Sequence, residues 1–203
     1  MKKILLLAAC AAALTGCAGT RTAVRASSGD AFGNGARTYA LASDSAASDD
    51  ESRRYASAIE RRLTELGFAA EPEKTARYRV ELAHETRPAS VGIGYTHCAD
   101  DVPCGAAVLP AGFEWPGTTT YVHSLTLRFF DHADGRETYK VSATKRDRDP
   151  GAARDIDDLV ASALARLPFA PTGARNGPTD WKVTLRQAGT DAVPRVMGIA
   201  PLK

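Results

Sequence analysis

Two runs of strict alternation limit what this chain can fold into. Tyr121, His123, Leu125, Leu127 and Phe129 occupy every second position, and the period resumes through Tyr139, Val141 and Ala143. Alternate side chains of a strand point to opposite faces, so each run is a strand with one apolar face. Between them lie Asp131-His132-Ala133-Asp134-Gly135, turn residues that include an Asp-Gly pair tolerant of positive φ, and the two runs read as a hairpin. Tyr78, Val80, Leu82 and His84 alternate with Arg77, Arg79, Glu81 and Glu85 in a further half-buried strand. A sheet with one apolar face must bury it against a second layer.

Two helices are positioned to supply that layer. Tyr55, Ile59, Leu63 and Leu66 recur at helical spacing, with Arg53, Arg54, Glu60, Arg61 and Arg62 left for water. Ser48 and Glu51 have capping-box spacing at its start, and Gly67 stands where a helix end turns left-handed. Asp149-Pro150 opens a second helix, whose apolar face is Ile156, Val160, Ala163, Leu164 and Leu167 before Pro168 stops it. Residues 37–42 read as a short strand and Trp181, Val183 and Leu185 as a last one, while the tail from Gln187 is weakly patterned. The expected fold is α+β: a two-layer sandwich, with a mostly antiparallel sheet of four to five strands and two helices packed on one face.

The N-terminus carries a different message. After Lys2 and Lys3, residues 4–14 are eleven apolar or small residues. As a helix they reach about 16 Å, against a bilayer core of about 30 Å, so they read as the apolar region of a secretory signal and not as a span. Leu14-Thr15-Gly16-Cys17 follows and resembles the lipobox of bacterial lipoproteins. That resemblance implies cleavage before Cys17, acylation of Cys17 with palmitate-type chains, and, since Ala18 is not Asp, residence on the periplasmic face of the outer membrane of a Gram-negative bacterium. The alternative is an ordinary signal with an incidental Cys17.

Loss of residues 1–16 removes two lysines, and 24 basic residues then face 24 acidic ones in the remaining 187. A neutral chain without a basic stripe argues against nucleic acid as a partner. The expected organisation is a signal at 1–16, the lipidated cysteine and a flexible tether at 17–36, the α+β domain at 37–172 and a C-terminal extension at 173–203. Residues 18–36 are small and polar with no period, which is the reason for reading them as tether.

Cys10 leaves with the signal, so Cys98 and Cys104 remain, and an oxidising periplasm favours a disulfide between them. His97, Asp100 and Asp101 beside them offer a metal set on paper, but the gap is not the Cys-x-x-Cys of a zinc knuckle. The surrounding stretch, 87–118, is rich in glycine and proline and carries Tyr95, Phe113 and Trp115 as candidate partner contacts. It reads as a long loop that is either a flap over the sheet edge or a surface, or lid, for a partner or ligand. Gly92-Ile93-Gly94 lacks the third glycine of a dinucleotide loop.

Other chemical motifs fail on their residues. His84-Glu85 opens like a zinc-protease motif, but Pro88 stands in place of the second histidine. Asp147, Asp149 and Asp158 have spacings of a calcium loop, yet Gly151 and Ala152 occupy positions that need an acid and a glycine. Asp155, Asp157 and Asp158 suit a helix N-terminus, and His123 and His132 read as structural or surface residues. No catalytic residue, metal ligand or cofactor is assigned.

The Tyr39-Ala40-Leu41 strand, the helix ending in Leu66-Gly67-Phe68, the Tyr78-Arg79-Val80 strand, the strand from Leu125 to its turn at Asp131 and the closing Leu167-Pro168-Phe169, all behind a lipobox, resemble the bacterial lipoprotein family called Domain of Unknown Function 4136. Leu41 and Tyr139 stand where that family commonly has tryptophan. The resemblance spans roughly residues 36–172 and implies a periplasmic α+β lipoprotein domain without catalytic residues. The expected function is a non-enzymatic binding or structural role in the envelope, with the membrane held through the lipid and an envelope protein or cell-wall component as partner. The alternative is an envelope enzyme or small-ligand receptor with 87–118 as lid. A deep pocket lined by His84 or His123 and a carboxylate would distinguish it.

Overall fold

A computed structural model describes residues 20–29, 32–33, 35–42, 49–89, 91–97, 103–110, 119–167, 179–188 and 192–202, with the backbone alone for the two segments inside 91–110. The elements are β1 (Thr20–Ser28), β2 (Thr38–Leu41), α1 (Asp50–Glu65), β3 (Ala69–Ala70), β4 (Tyr78–Pro88), β5 (Val91–His97), β6 (Pro103–Pro110), β7 (Tyr121–Asp131), β8 (Glu137–Asp147), a 3-10 turn (Ala152–Arg154), α2 (Ile156–Ala163), β9 (Thr179–Ala188) and β10 (Ala192–Pro201). The fold is α+β, as the alternation and the two one-sided helices require.

The sheet has eight strands in the order β10-β9-β1-β8-β7-β4-β2-β3, which corrects the expected four to five. It is antiparallel from β10 to β4, and the short edge strands β2 and β3 run parallel, because α1 carries the chain back between β2 and β4. The β7–β8 hairpin has the expected register, with Leu125 opposite Ala143, Leu127 opposite Val141 and Phe129 opposite Tyr139. At the far edge, β10 carries two bulges and two prolines, Pro194 and Pro201, features that hinder edge-to-edge pairing.

The expected last strand is present as β9, and the three further strands are β1, in the segment read as tether, β10, in the weakly patterned tail, and the two-residue β3. β1 falls inside 17–36 and pairs on both sides, with Val24 opposite Ala143 on β8 and opposite Trp181 on β9. Thr22, Val24 and Ala26 are buried while Arg21, Ala23 and Arg25 are exposed, so a period of two is present, but it is carried by small residues and one valine. Phe32 follows, buried among aromatic rings, stacked on Tyr139 at 4.8 Å and edge-on to Phe129 at 5.2 Å. The described part of 17–36 is therefore sheet and core, and β9 and β10 make the C-terminal segment part of the domain as well.

The remaining difference lies in 87–118. β4 and β7 stay paired as far as Pro88 opposite Tyr121, and the chain between them forms β5 and β6, an antiparallel pair in a sheet of its own. The stretch read as a loop therefore contains a hairpin.

One face of the large sheet is covered. The alternate positions Tyr78, Val80, Leu125, Leu127, Phe129, Val141, Ala143, Val183 and Leu185 join Ile59 and Leu63 of α1 and Leu159, Val160 and Ala163 of α2 in a single buried cluster. The opposite face carries ion pairs such as Arg79–Glu81 at 2.8 Å and Arg25–Asp180 at 2.7 Å. Among the described residues no helix is long and apolar enough to cross a membrane.

Helix ends show where local chemistry prevails. α1 is capped by Asp49, whose Oδ1 accepts from the Ser52 N–H at 2.7 Å, one residue after the expected Ser48, which lies outside the described residues. Gly67 has φ +80 at the other end, and the Phe68 N–H reaches back to the Leu63 carbonyl at 2.9 Å. Gly67→Ala is expected to cost about 1 kcal/mol in urea denaturation, since an L side chain resists that backbone; an unchanged midpoint would show that the turn does not depend on it.

Candidate functional site

A buried polar cluster interrupts the apolar face where β7, β8 and the start of α2 meet. His123 is fully buried, Lys145 is 7% exposed, and Asp155 and Asp158 are 2% and 1% exposed. The alternation explains why the first two point inward: His123 continues the phase of Leu125 and Leu127, and Lys145 that of Val141 and Ala143. The sequence read as a good helix start at Asp149-Pro150 instead makes a connection with a 3-10 turn, and α2 begins at Ile156. Asp155 stands at its N-cap without a side-chain capping bond, because its carboxylate is turned to Lys145.

The contacts are close. Lys145 Nζ donates to Asp155 Oδ1 at 2.5 Å and to Asp158 Oδ2 at 2.7 Å, with Asp147 Oδ2 4.0 Å away. His123 Nδ1 meets Thr86 Oγ1 at 2.9 Å, and Nε2 faces the Asp149 carbonyl at 3.0 Å, Asp147 Oδ1 at 3.2 Å and Asp155 Oδ2 at 3.5 Å. Burial and the neighbouring Asp147 carboxylate push the Asp155 carboxyl up to about 6, against the pull of Lys145. Burial opposes the Lys145 ammonium, but bonds to Asp155 and Asp158 outweigh it and hold its pKa above the ordinary lysine value. Asp147 is held below the usual carboxylate range: burial works against this, but hydrogen bonds involving Asp155, the Asp149 N–H and His123 prevail. His123, Asp147 and Asp155 bring one ligand-capable atom each within 4.8 Å of one another, among the described residues.

His84 has a different setting. Its Nε2 lies 3.0 Å from Ser52 Oγ and its Nδ1 3.2 Å from Glu51 Oε1, with the Tyr55 ring stacked on it at 4.7 Å. The order resembles a serine–base–acid relay, but Ser52 is 3% exposed and its N–H is taken by the Asp49 cap, so the group pins the start of α1 onto β4. A groove of about 570 Å³ runs along the outer side of α1, lined by Asp50, Arg53, Arg54, Arg61 and Asp157 among others, and neither His84 nor His123 lines it. His132 lies in the exposed β7–β8 turn.

Cys17, Cys98, Phe113 and Trp115 lie outside the described residues, as do Asp100 and Asp101 of the paper metal set. Tyr95 is on β5, in register with Ala106, and Cys104 is on β6. Asp147 and Asp158, set aside as a failed calcium loop, come together here, whereas Asp157 pairs outward with Arg61 at 2.5 Å. Lys145 was not singled out from the sequence, although a lysine in the inward phase of an apolar strand is itself a signal.

No family model and no curated protein matches the chain. Among solved structures it is similar to a PDZ domain protein from Parabacteroides distasonis, at 12% identity and a TM-score of 0.45, over 83% of this chain and 40% of that one. This chain thus spans less than half the length of that neighbour. It is similar as well to PelC from Paraburkholderia phytofirmans, described as a dodecamer, at 17% identity and a TM-score of 0.46, over 73% of this chain and 99% of that one. A substituted form of the same PelC gives 17% identity, a TM-score of 0.44 and coverage of 71% and 95%. Likenesses at these scores carry no inference about the site.

Proposed function

We propose that the chain is a lipid-anchored lipoprotein on the periplasmic face of the outer membrane, of the kind implied by the resemblance to Domain of Unknown Function 4136. In this reading it has a binding role at the membrane surface and acts there through the β5–β6 hairpin. What supports the reading is one coincidence of position. β1 begins at Thr20, three residues after Cys17, so lipid on Cys17 would hold the sheet close to the bilayer. The register Ala23↔Thr144 carries the start of β1 toward the end of β8 at Asp147, which is opposite Tyr121, which is opposite Pro88. The hairpin leaves the sheet from that same end. Neither β5 nor β6 contains an Asp, Glu, Lys or Arg, which suits contact with an apolar or interfacial partner. A disulfide between Cys98 and Cys104 would close the tip of that hairpin.

The anchor is tested by Cys17→Ser in cells. The expected result is loss of acyl mass and transfer of the protein from the membrane to the soluble fraction. Retention in the membrane with an unacylated Cys17 would remove the reading.

A further inference from the structure

The cluster around His123 holds more negative charge than its own cation balances. Asp147, Asp155 and Asp158 set three carboxylates against the one ammonium of Lys145. With His123 neutral and the carboxylates fully ionised, as a ligand set must be, this leaves two negative charges in excess, and two of the carboxylates are almost wholly buried, where charge is costly without a counter-ion. A second observation is independent of charge: among the described residues no N–H or hydroxyl donates to the buried Asp155 Oδ2, which is aimed at His123 Nε2. A third is spacing. Four ligands at about 2.0–2.2 Å around a tetrahedral ion stand about 3.3–3.6 Å apart. His123 Nε2 lies 3.2 Å from Asp147 Oδ1, 3.5 Å from Asp155 Oδ2 and 3.0 Å from the Asp149 carbonyl.

We propose that His123, Asp147, Asp155 and the Asp149 carbonyl form a site for one divalent first-row cation, zinc in the first place. The surrounding bonds fit that use. With Nε2 on the ion, Nδ1–H donates to Thr86 Oγ1 and fixes the ring, and Lys145 holds the other oxygen of Asp155. Two positive charges cancel the two in excess. All four ligands come from the protein, so the ion is structural and ties the connection after β8, and with it α2, to β7.

The test uses the purified full chain, stripped with chelator and titrated with ZnCl2, CoCl2 or MgCl2. The expected result is one zinc retained per chain through gel filtration and a Tm rise of about 5 °C or more. Cobalt is expected to give the strong visible absorption of a four-coordinate ion, and magnesium to do nothing. Asp147→Asn keeps the side chain's shape at the ligand with the most solvent access, so the fold should persist while zinc binds at least about 100-fold more weakly. Asp134→Asn, in the β7–β8 turn, should bind as the parent does. Absence of stoichiometric zinc and of any Tm shift would overturn the proposal, and so would unchanged binding by the folded Asp147→Asn chain.

Discussion

A chain that starts at residue 37 is expected not to fold, whereas one that starts at residue 20 unfolds cooperatively in urea. The shorter chain keeps both helices and the long hairpin, but it lacks β1, the strand between β8 and β9. Without β1, two facing strand edges lose their backbone partners, and Val141, Ala143, Trp181 and Val183 lose the neighbours opposite them. Phe32 leaves as well, opening a hole between Tyr78, Phe129 and Tyr139. A single Phe→Ala change in a core costs about 3–5 kcal/mol, and each lost ladder bond about 0.5–1.5 kcal/mol. The sum reaches the whole stability of an ordinary domain, about 5–15 kcal/mol. Urea unfolding followed by far-UV circular dichroism reads the difference, and a sigmoidal transition in the shorter chain would contradict the place given to β1.

Lys145→Met is the second large effect, expected at about 3–5 kcal/mol. Methionine fits the volume, so the loss is electrostatic: Asp155 and Asp158 remain buried without the ammonium that bonds both of them. The diagnostic is a cycle. Adding Asp155→Asn and Asp158→Asn to the Lys145→Met chain should recover most of the loss, because the charges that made it costly are gone. Chemical denaturation of the four chains measures this. A cost below about 1 kcal/mol, or no recovery, would show that water reaches the cluster and screens it.

Legibility in the sequence followed side-chain size. β4, β7, β8 and both helices were legible because tyrosine, leucine, valine and phenylalanine recur at a fixed period. β1 has the same period of two, but Thr22, Val24 and Ala26 alternate with Arg21, Ala23 and Arg25, and the hydrophobic contrast is slight. Its burial comes from its partners, with small residues set beside Trp181 and Val141, and strand preference of that kind is tertiary in origin. The β5–β6 hairpin was obscured by Gly92, Gly94, Pro103 and Pro110, which read as loop. The buried cluster was half legible: its aspartates stand out in the sequence but read as partners of a helix dipole. Their true partner is Lys145, an inward lysine twenty-two residues beyond His123 in the sequence and beside it in the fold.

The central claim is that the anchor and the working surface lie at one end of the sheet. A photoreactive residue placed in living cells at Tyr95, on the hairpin, and separately at Ala133, in the β7–β8 turn at the other end, tests it most directly. Specific adducts with a membrane or membrane-bound component are expected from position 95 and none from position 133. Adducts from 133 alone, or none from 95, would contradict it.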